Sequence, residues 1–169
     1  YGTELIIIHQ QRAHQRVLYE YFKKNETNKL SSQKLIFPQN VDLTKKEIIN
    51  LSEIETDLIN IGFDYKIEEE SIKIHAVPPQ CINENIQQLF DEILRDNDLD
   101  KNELKEKFSS KLSKTLAKSL SIKQGKELKI NEMKILVKEL MNCNIPSISP
   151  FGKTTYFNVT DNEIYKKFN

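Results

Sequence analysis

The chain has 169 residues, 38% of them hydrophobic and 30% charged, which suits one domain or two small lobes and lies far from the disordered class. Its 25 Lys and Arg balance 25 Asp and Glu. No overall basic field therefore draws in nucleic acid, and any such contact has to come from a local patch or from chain outside this sequence. No apolar run approaches membrane-spanning length, and no signal peptide is expected. Cys81 and Cys143 form no C-x-x-C and read as reduced thiols of a cytoplasmic protein. A chain that opens on Tyr1 is expected to be a fragment of a longer protein.

Glu4 to His9 is a continuous aliphatic run, the pattern of a strand buried on both faces. A helix is expected from about Ala13 to Lys23, with Val17, Leu18 and Tyr21 inward and Arg12, Gln15 and Arg16 elsewhere around it. Asn25 to Ser32 reads as a polar loop, and Lys34 to Phe37 as a short strand stopped by Pro38. Thr44 and Glu47 form a capping box that opens one helix through Ile48, Leu51, Ile54, Leu58 and Ile61, ended by Gly62. Phe63–Ile67 and Ile72–Ala76 alternate apolar and polar residues about a turn at Glu68–Ser71, which predicts a hairpin.

After Pro78-Pro79, a helix from about Asn83 to Asp96 faces Ile86, Leu89, Phe90 and Ile93 inward. Asp100 and Glu103 cap the next helix, stapled by Leu99 and Leu104, which buries Leu104, Phe108 and Leu112. A separate helix from about Lys114 to Lys123 stops at Gly125, and another, Asn131 to Asn142, is built on Met133, Leu136, Val137 and Leu140. Thr154 to Val159 is a strand, and a capping box at Thr160 and Glu163 opens a last short helix with Ile164 and Phe168 four apart. The fold class is α+β, mixed α/β, without an internal repeat.

The junction Leu5-Ile-Ile-Ile-His-Gln-Gln-Arg-Ala-His-Gln-Arg-Val-Leu-Tyr-Glu20 resembles the C-terminal domain of the MutL mismatch-repair family. Nuclease-competent members read D-Q-H-A-x-x-E-x-x-x-x-E there. In this chain His9 stands at the Asp position, Gln11 at the His, Arg12 at the Ala and Gln15 at the first Glu, while Gln10 and Glu20 match. Further similarities follow in the same order. Gln33-Lys-Leu-Ile-Phe-Pro38 matches a clamp-docking hexapeptide, Q-x-L-[LIV]-x-P. Leu58–Gly62 with Val77-Pro78, and Ser121–Met133, resemble two other family segments. Ala117-Lys118-Ser119 stands where the family has Ala-Cys-Arg, and Ser149–Thr155 where it has C-P-H-G-R-P-T. Gln11 together with Ser149-Pro150-Phe151 is similar to MutL chains of the Bacteroidetes group.

The resemblance implies a two-lobed fold: an inner dimerisation lobe of residues 1–31 plus 126–169 and an outer lobe of 32–125. The strands Leu5–Ile8 and Tyr156–Val159 would share a sheet whose open face or edge needs a partner subunit. The implied function is non-catalytic homodimerisation in the bacterial cytoplasm, at the nucleoid. It would tether N-terminal ATPase domains absent from this sequence, and MutS and DNA would be partners through the full-length protein. Gln33, Leu35, Ile36, Phe37 and Pro38 would dock the replication sliding clamp, although strand alternation puts Leu35 and Phe37 on one face and Ile36 on the other, in competition with the core.

At the nuclease metal positions His9, Gln11, Gln15, Ser149 and Phe151 are weak donors or none, so no metal, cofactor or catalytic residue is expected. The alternative is a metal-dependent DNA-nicking endonuclease with a remodelled site of His9, His14 and Glu20. A third reading, a DNA-binding module unrelated to repair, has only scattered basic residues behind it. Arg12, His14 and Arg16 form a basic edge, either a DNA phosphate contact or, as the preferred reading, a solvated helix face. His75, beside Lys73, is expected to face solvent, as are Lys105, Lys107, Lys111, Lys114 and Lys118 on a helix that also carries Glu103 and Glu106.

Overall fold

The computed structural model describes residues 5–24, 30–99 and 108–168. In chain order the elements are β1 (Leu5–Ile8), α1 (Gln10–Lys23), β2 (Gln33–Asp42), α2 (Lys45–Glu53), α3 (Glu55–Ile61), β3 (Asp64–Ile67), β4 (Ser71–Val77), a 3-10 turn at Pro79–Cys81, α4 (Ile86–Leu99), α5 (Phe108–Leu120), α6 (Ile130–Met141), β5 (Tyr156–Val159) and α7 (Asp161–Tyr165). The mixed α+β class expected from the sequence is what the chain forms. Two compact units emerge, one drawn from Tyr1–Glu20 with Ser121–Asn169 and the other from Tyr21–Leu120.

In the first unit β1 pairs antiparallel with β5, Leu5 opposite Val159 and Ile8 opposite Tyr156. The ladder runs on one residue further, where His9 N donates to Thr155 O at 2.8 Å, and α1 starts at once. Ala13, Leu136 and Leu140 form a small buried cluster, with Ile8, Val17, Ile122, Leu128 and Tyr156 packed against it. The aliphatic run is not the doubly buried strand its composition suggests. Leu5, Ile6 and Ile7 are 53%, 45% and 44% exposed. Among the described residues this sheet has two strands, so a run suited to a sheet interior lies on a surface. The register puts Ile7 directly across from Phe157, which is also exposed.

Two inward assignments on α6 fail. On α6 Leu136 and Leu140 are buried as expected, but Met133 and Val137 are 48% and 38% exposed, alongside exposed Ile130 and Met141. The capping box at Thr160 that opens α7 is present, and Phe168 is exposed.

The second unit is a three-stranded antiparallel sheet in the order β2-β4-β3, with α4 against β2 and the other helices packed around α4 and α5. The β3–β4 hairpin forms as its alternation predicts, closed by Glu68 N donating to Ser71 O at 2.8 Å. Ile72 and Ile74 of β4 are buried, and the Phe63 and Phe90 rings meet edge-on at 5.3 Å. Leu89 and Ile93 of α4, and Leu112 and Leu116 of α5, are buried too. No helix among the described residues is long and apolar enough to cross a membrane.

Several boundaries move, each for a local reason. The expected single helix from Thr44 to Gly62 divides at Ile54 (φ −114, ψ 7), whose N–H bonds to Leu51 rather than one residue further back. The inward residues keep their spacing across the break, so the periodicity does not reveal it. Gly62 caps α3 in the left-handed conformation (φ 109), a position a side chain would strain. Strand β2 runs through Pro38 instead of stopping there. Lys34 pairs with Ala76 and Gln39 with Ile74, so residues 35–38 bulge opposite the single residue His75, and Pro38 has no ladder bond to lose. His75 is half-buried, not solvent-facing, and its Nε2 has no hydrogen-bond partner among the described residues.

Helix α4 starts at Ile86, where the Asn85 side chain accepts from Gln88 N at 3.1 Å. The two helices expected around Leu112 and Lys114 are one, α5, passing through Ser113. It ends at Leu120, five residues before Gly125. Lys111 and Lys114 are half-buried and Lys118 is exposed. The Asp100/Glu103 cap, the Leu99–Leu104 staple, Lys105, Lys107 and most of the Asn25–Ser32 loop lie outside the described residues or side chains.

Candidate functional site

The β1–α1 junction of the first unit gathers the residues at the family's metal positions together with the basic edge. His9 is exposed, and its Nδ1 lies 3.5 Å from Arg12 N. Gln10 Nε2 donates to Lys126 O at 2.6 Å, and Arg12 Nη1 to Thr154 O at 3.1 Å. Gln11 and Gln15 are half-buried.

His14 is not a surface histidine: its Nδ1 accepts from Ile122 N at 3.0 Å. Burial, and then the charge of Lys126, hold its pKa below the ordinary 6.5. Nor is Arg16 part of a solvated face. It is buried, its Nε donates to Ile148 O at 2.5 Å, and its guanidinium lies 5.5 Å over the Tyr19 ring. Glu20 is buried one turn on, 3.7 Å from Arg16 Nη1. Its two oxygens accept from Asn144 N (2.7 Å) and Ile145 N (3.2 Å). The i,i+4 spacing of Arg16 and Glu20 is visible in the sequence; that the pair is buried and fastens the segment after α6 is not.

Ser149 is buried, and its Oγ accepts from Phe151 N (3.3 Å) and Lys153 N (3.2 Å), closing a turn through Gly152 (φ 71). Phe151 is exposed. Ala117, Lys118 and Ser119 lie on α5 in the other unit, where Ser119 Oγ is hydrogen-bonded to Glu92 Oε2. Among the described residues no group of three His, Cys, Asp or Glu is placed to hold a metal ion.

The hexapeptide belongs to the second unit. Gln33 pairs with Val77, and Leu35 is half-buried. Ile36 and Phe37 are 91% and 80% exposed. The bulge suspends strand alternation, so the neighbouring Ile36 and Phe37 side chains both leave the core, and only Leu35 of the three stays half-buried. Sequence reasoning missed the apolar stripe on α6, Ile130, Met133, Val137 and Met141. Its three-and-four-residue spacing is a signal in plain view; Met133 and Val137 are read there as core, and Ile130 and Met141 are not singled out.

The sequence profile of the MutL C terminal dimerisation domain family matches residues 1–128. This chain belongs to that family. It is 33% identical over 168 residues to the DNA mismatch repair protein MutL of Flavobacterium johnsoniae, covering 97% of this chain and 26% of that protein. It is 32% identical over 166 residues to MutL of Christiangramia forsetii and 30% over 167 to MutL of Parabacteroides distasonis, in each case covering 97% of this chain and 27% of the relative. The chain thus spans about a quarter of the length of these curated MutL relatives.

Proposed function

We propose that this MutL C-terminal domain is a non-catalytic assembly module that forms a homodimer through its first unit. The observation that carries the reading is the open β1–β5 face, on which Leu5, Ile7 and Phe157 stay about half exposed. Covering the remaining surface of such a side chain gains on the order of 1 kcal/mol, so six of them across a two-fold give about 6 kcal/mol. Association costs about 4–15 kcal/mol, so this face alone would leave a dimer marginal. The α6 stripe in the same unit adds further apolar side chains and supports a stable one. Sedimentation velocity at micromolar concentration should show a dimer, and Ile7→Glu with Phe157→Glu should give a folded monomer. A wild-type chain that stays monomeric together with its upstream residues refutes the proposal.

In the full-length protein the dimer would tether the N-terminal ATPase domains at high effective concentration, with MutS and DNA engaged through the whole assembly in the bacterial cytoplasm. A second role, docking of the replication sliding clamp by Gln33, Leu35, Ile36, Phe37 and Pro38, is favoured by the exposure of Ile36 and Phe37. Apolar side chains already outside the core can enter a partner's pocket without unfolding their own strand. Retention of Gln33→Ala with Phe37→Ala on immobilised clamp at the wild-type level would defeat it.

The donor set at the family's metal positions does not fit zinc or manganese. Gln11 and Gln15 offer neutral amides, Ser149 Oγ is occupied within its turn, and Phe151 offers nothing. Glu20, a ligand in the alternative endonuclease reading, is enclosed by two backbone N–H groups and Arg16. Stoichiometric metal in the purified protein, or metal-dependent nicking of supercoiled DNA lost in His9→Ala, would restore that alternative.

A further inference from the structure

A buried nitrogen without a hydrogen bond lies across from the β2 bulge. On β4, Ala76 pairs with Lys34 and Ile74 with Gln39, so residues 35–38 face His75 alone. The β3 ladder slips at the same place. Asp64 pairs with Ala76 and Tyr65 with Ile74, which leaves no β3 residue opposite His75. Neither flanking strand supplies this residue with a register partner. Its ring is half-buried, and Nε2 is shut off from water with no hydrogen-bond partner among the described residues. A ring nitrogen stripped of water and left unmatched weakens a fold, and an apolar side chain would fill the space at less cost. Across from it, Leu35, Ile36, Phe37 and Pro38 have no register partner either. The first three each carry a main-chain N–H and C=O, and Pro38 a C=O alone.

We propose that His75 is a positioning residue for the segment Gln33 to Pro38, which rests on that segment being the sliding-clamp contact proposed above. In the free chain Ile36 and Phe37 project into solvent. When a hydrophobic pocket takes up these two side chains, the stretch 35–37 settles against β4, and one of its main-chain groups meets His75 Nε2. A neutral imidazole nitrogen donates or accepts according to its tautomer, so either an N–H or a C=O of the stretch can serve. The hydrogen bond missing from the free fold is thus made only in the complex. It favours the docked state without favouring the free one, as any contact that shifts such an equilibrium must. His75 acts through the segment and touches no atom of the clamp. Stability and docking therefore respond to its loss in opposite directions.

The test measures thermal unfolding by circular dichroism and affinity for immobilised, purified sliding clamp on the same variants of this chain. His75→Phe keeps a flat ring and removes both nitrogens. Its Tm should equal or exceed that of the wild type, while its clamp affinity falls about ten-fold, the loss of one hydrogen bond. His75→Gln, whose amide reaches the place of Nε2, should bind within about two-fold of the wild type. His75→Asn, whose shorter side chain reaches only the place of the other ring nitrogen, should behave like His75→Phe. Amide exchange at Leu35, Ile36 and Phe37 should slow on clamp binding in the wild type, and less so in His75→Phe. A Tm that falls together with affinity marks a structural role and overturns the proposal. Undiminished docking by His75→Phe, or a His75→Gln that fails to restore it, overturns it too. Gln33→Ala with Phe37→Ala keeps the two levels apart. If that pair binds like the wild type, clamp docking itself fails; if it is weakened and His75→Phe is not, only the role of His75 does.

Discussion

Glu20 is the clearest place to test whether the opening motif now serves the scaffold. In Glu20→Ala the backbone N–H groups of Asn144 and Ile145 lose their acceptor and Arg16 loses its counter-charge. Each donor left unmatched costs about 1–3 kcal/mol, at the low end here because both residues lie at the surface. Stripping one member from a buried ion pair costs about 3–5 kcal/mol, again at the low end for a 3.7 Å contact whose Arg keeps its bond to Ile148 O. The contributions overlap, so a loss of about 3 kcal/mol is expected, or roughly 6–12 °C in Tm for a chain of this size. Glu20→Gln retains the volume and one acceptor and should lose about half as much. Urea unfolding followed by far-ultraviolet circular dichroism, with unchanged m-values, measures both. A double-mutant cycle with Arg16→Met isolates the pair, and amide exchange at Asn144 and Ile145 should quicken selectively. A cost below about 1 kcal/mol for Glu20→Ala, or equal costs for Ala and Gln, would show that the carboxylate is not fastening this segment.

His14 and Cys81 offer two further tests. Burial keeps the folded pKa of His14 below 6.5, so the fold resists a proton that the unfolded chain accepts. Its contribution is complete above 6.5, is lost as pH falls from there toward the lowered folded value, and is constant below that. His14→Gln, which keeps an acceptor for Ile122 N–H, should flatten stability against pH in that window, and unaltered slopes would refute the assignment. Burial, with a smaller push from Glu84, raises the Cys81 thiol to about 12. One thiol per native chain, Cys143, should therefore react with a disulfide reagent at mildly alkaline pH, with Cys81 following only on denaturation. Two thiols reacting natively at similar rates would be inconsistent with the buried site.

What could be read from the residues alone had its cause within a few positions. The capping boxes at Thr44 and Thr160, the left-handed Gly62 and the turn of the β3–β4 hairpin each rest on contacts no more than four residues apart, and all formed. Where the cause lay elsewhere in the chain, the reading failed. The 35–38 bulge depends on the register of β4 around His75. The burial of Arg16 depends on Ile148, 132 residues away. The exposure of Leu5 and Ile7 was hidden for a different reason: an aliphatic run calls for a cover without saying which molecule supplies it. For the same reason Met133 and Val137 of α6 were read as core beside Leu136 and Leu140, although the helix has one buried stripe and one exposed one. At the candidate site, the types substituted at the family's metal positions were legible, but the structural duties of Ser149 and Glu20 were not.

The bulge in β2 has a consequence for how the second unit can change over time. Its ladder is clasped at Lys34 and again at Gln39, and the four residues between carry no register. Substitution or even a change in length there need not slide the flanking strands, so this stretch can drift to suit a ligand while its frame stays put. A visitor would also find the backbone already drawn out and pinned at both ends. It is spared much of the roughly 1–2 kcal/mol per residue that taming a floppy peptide demands.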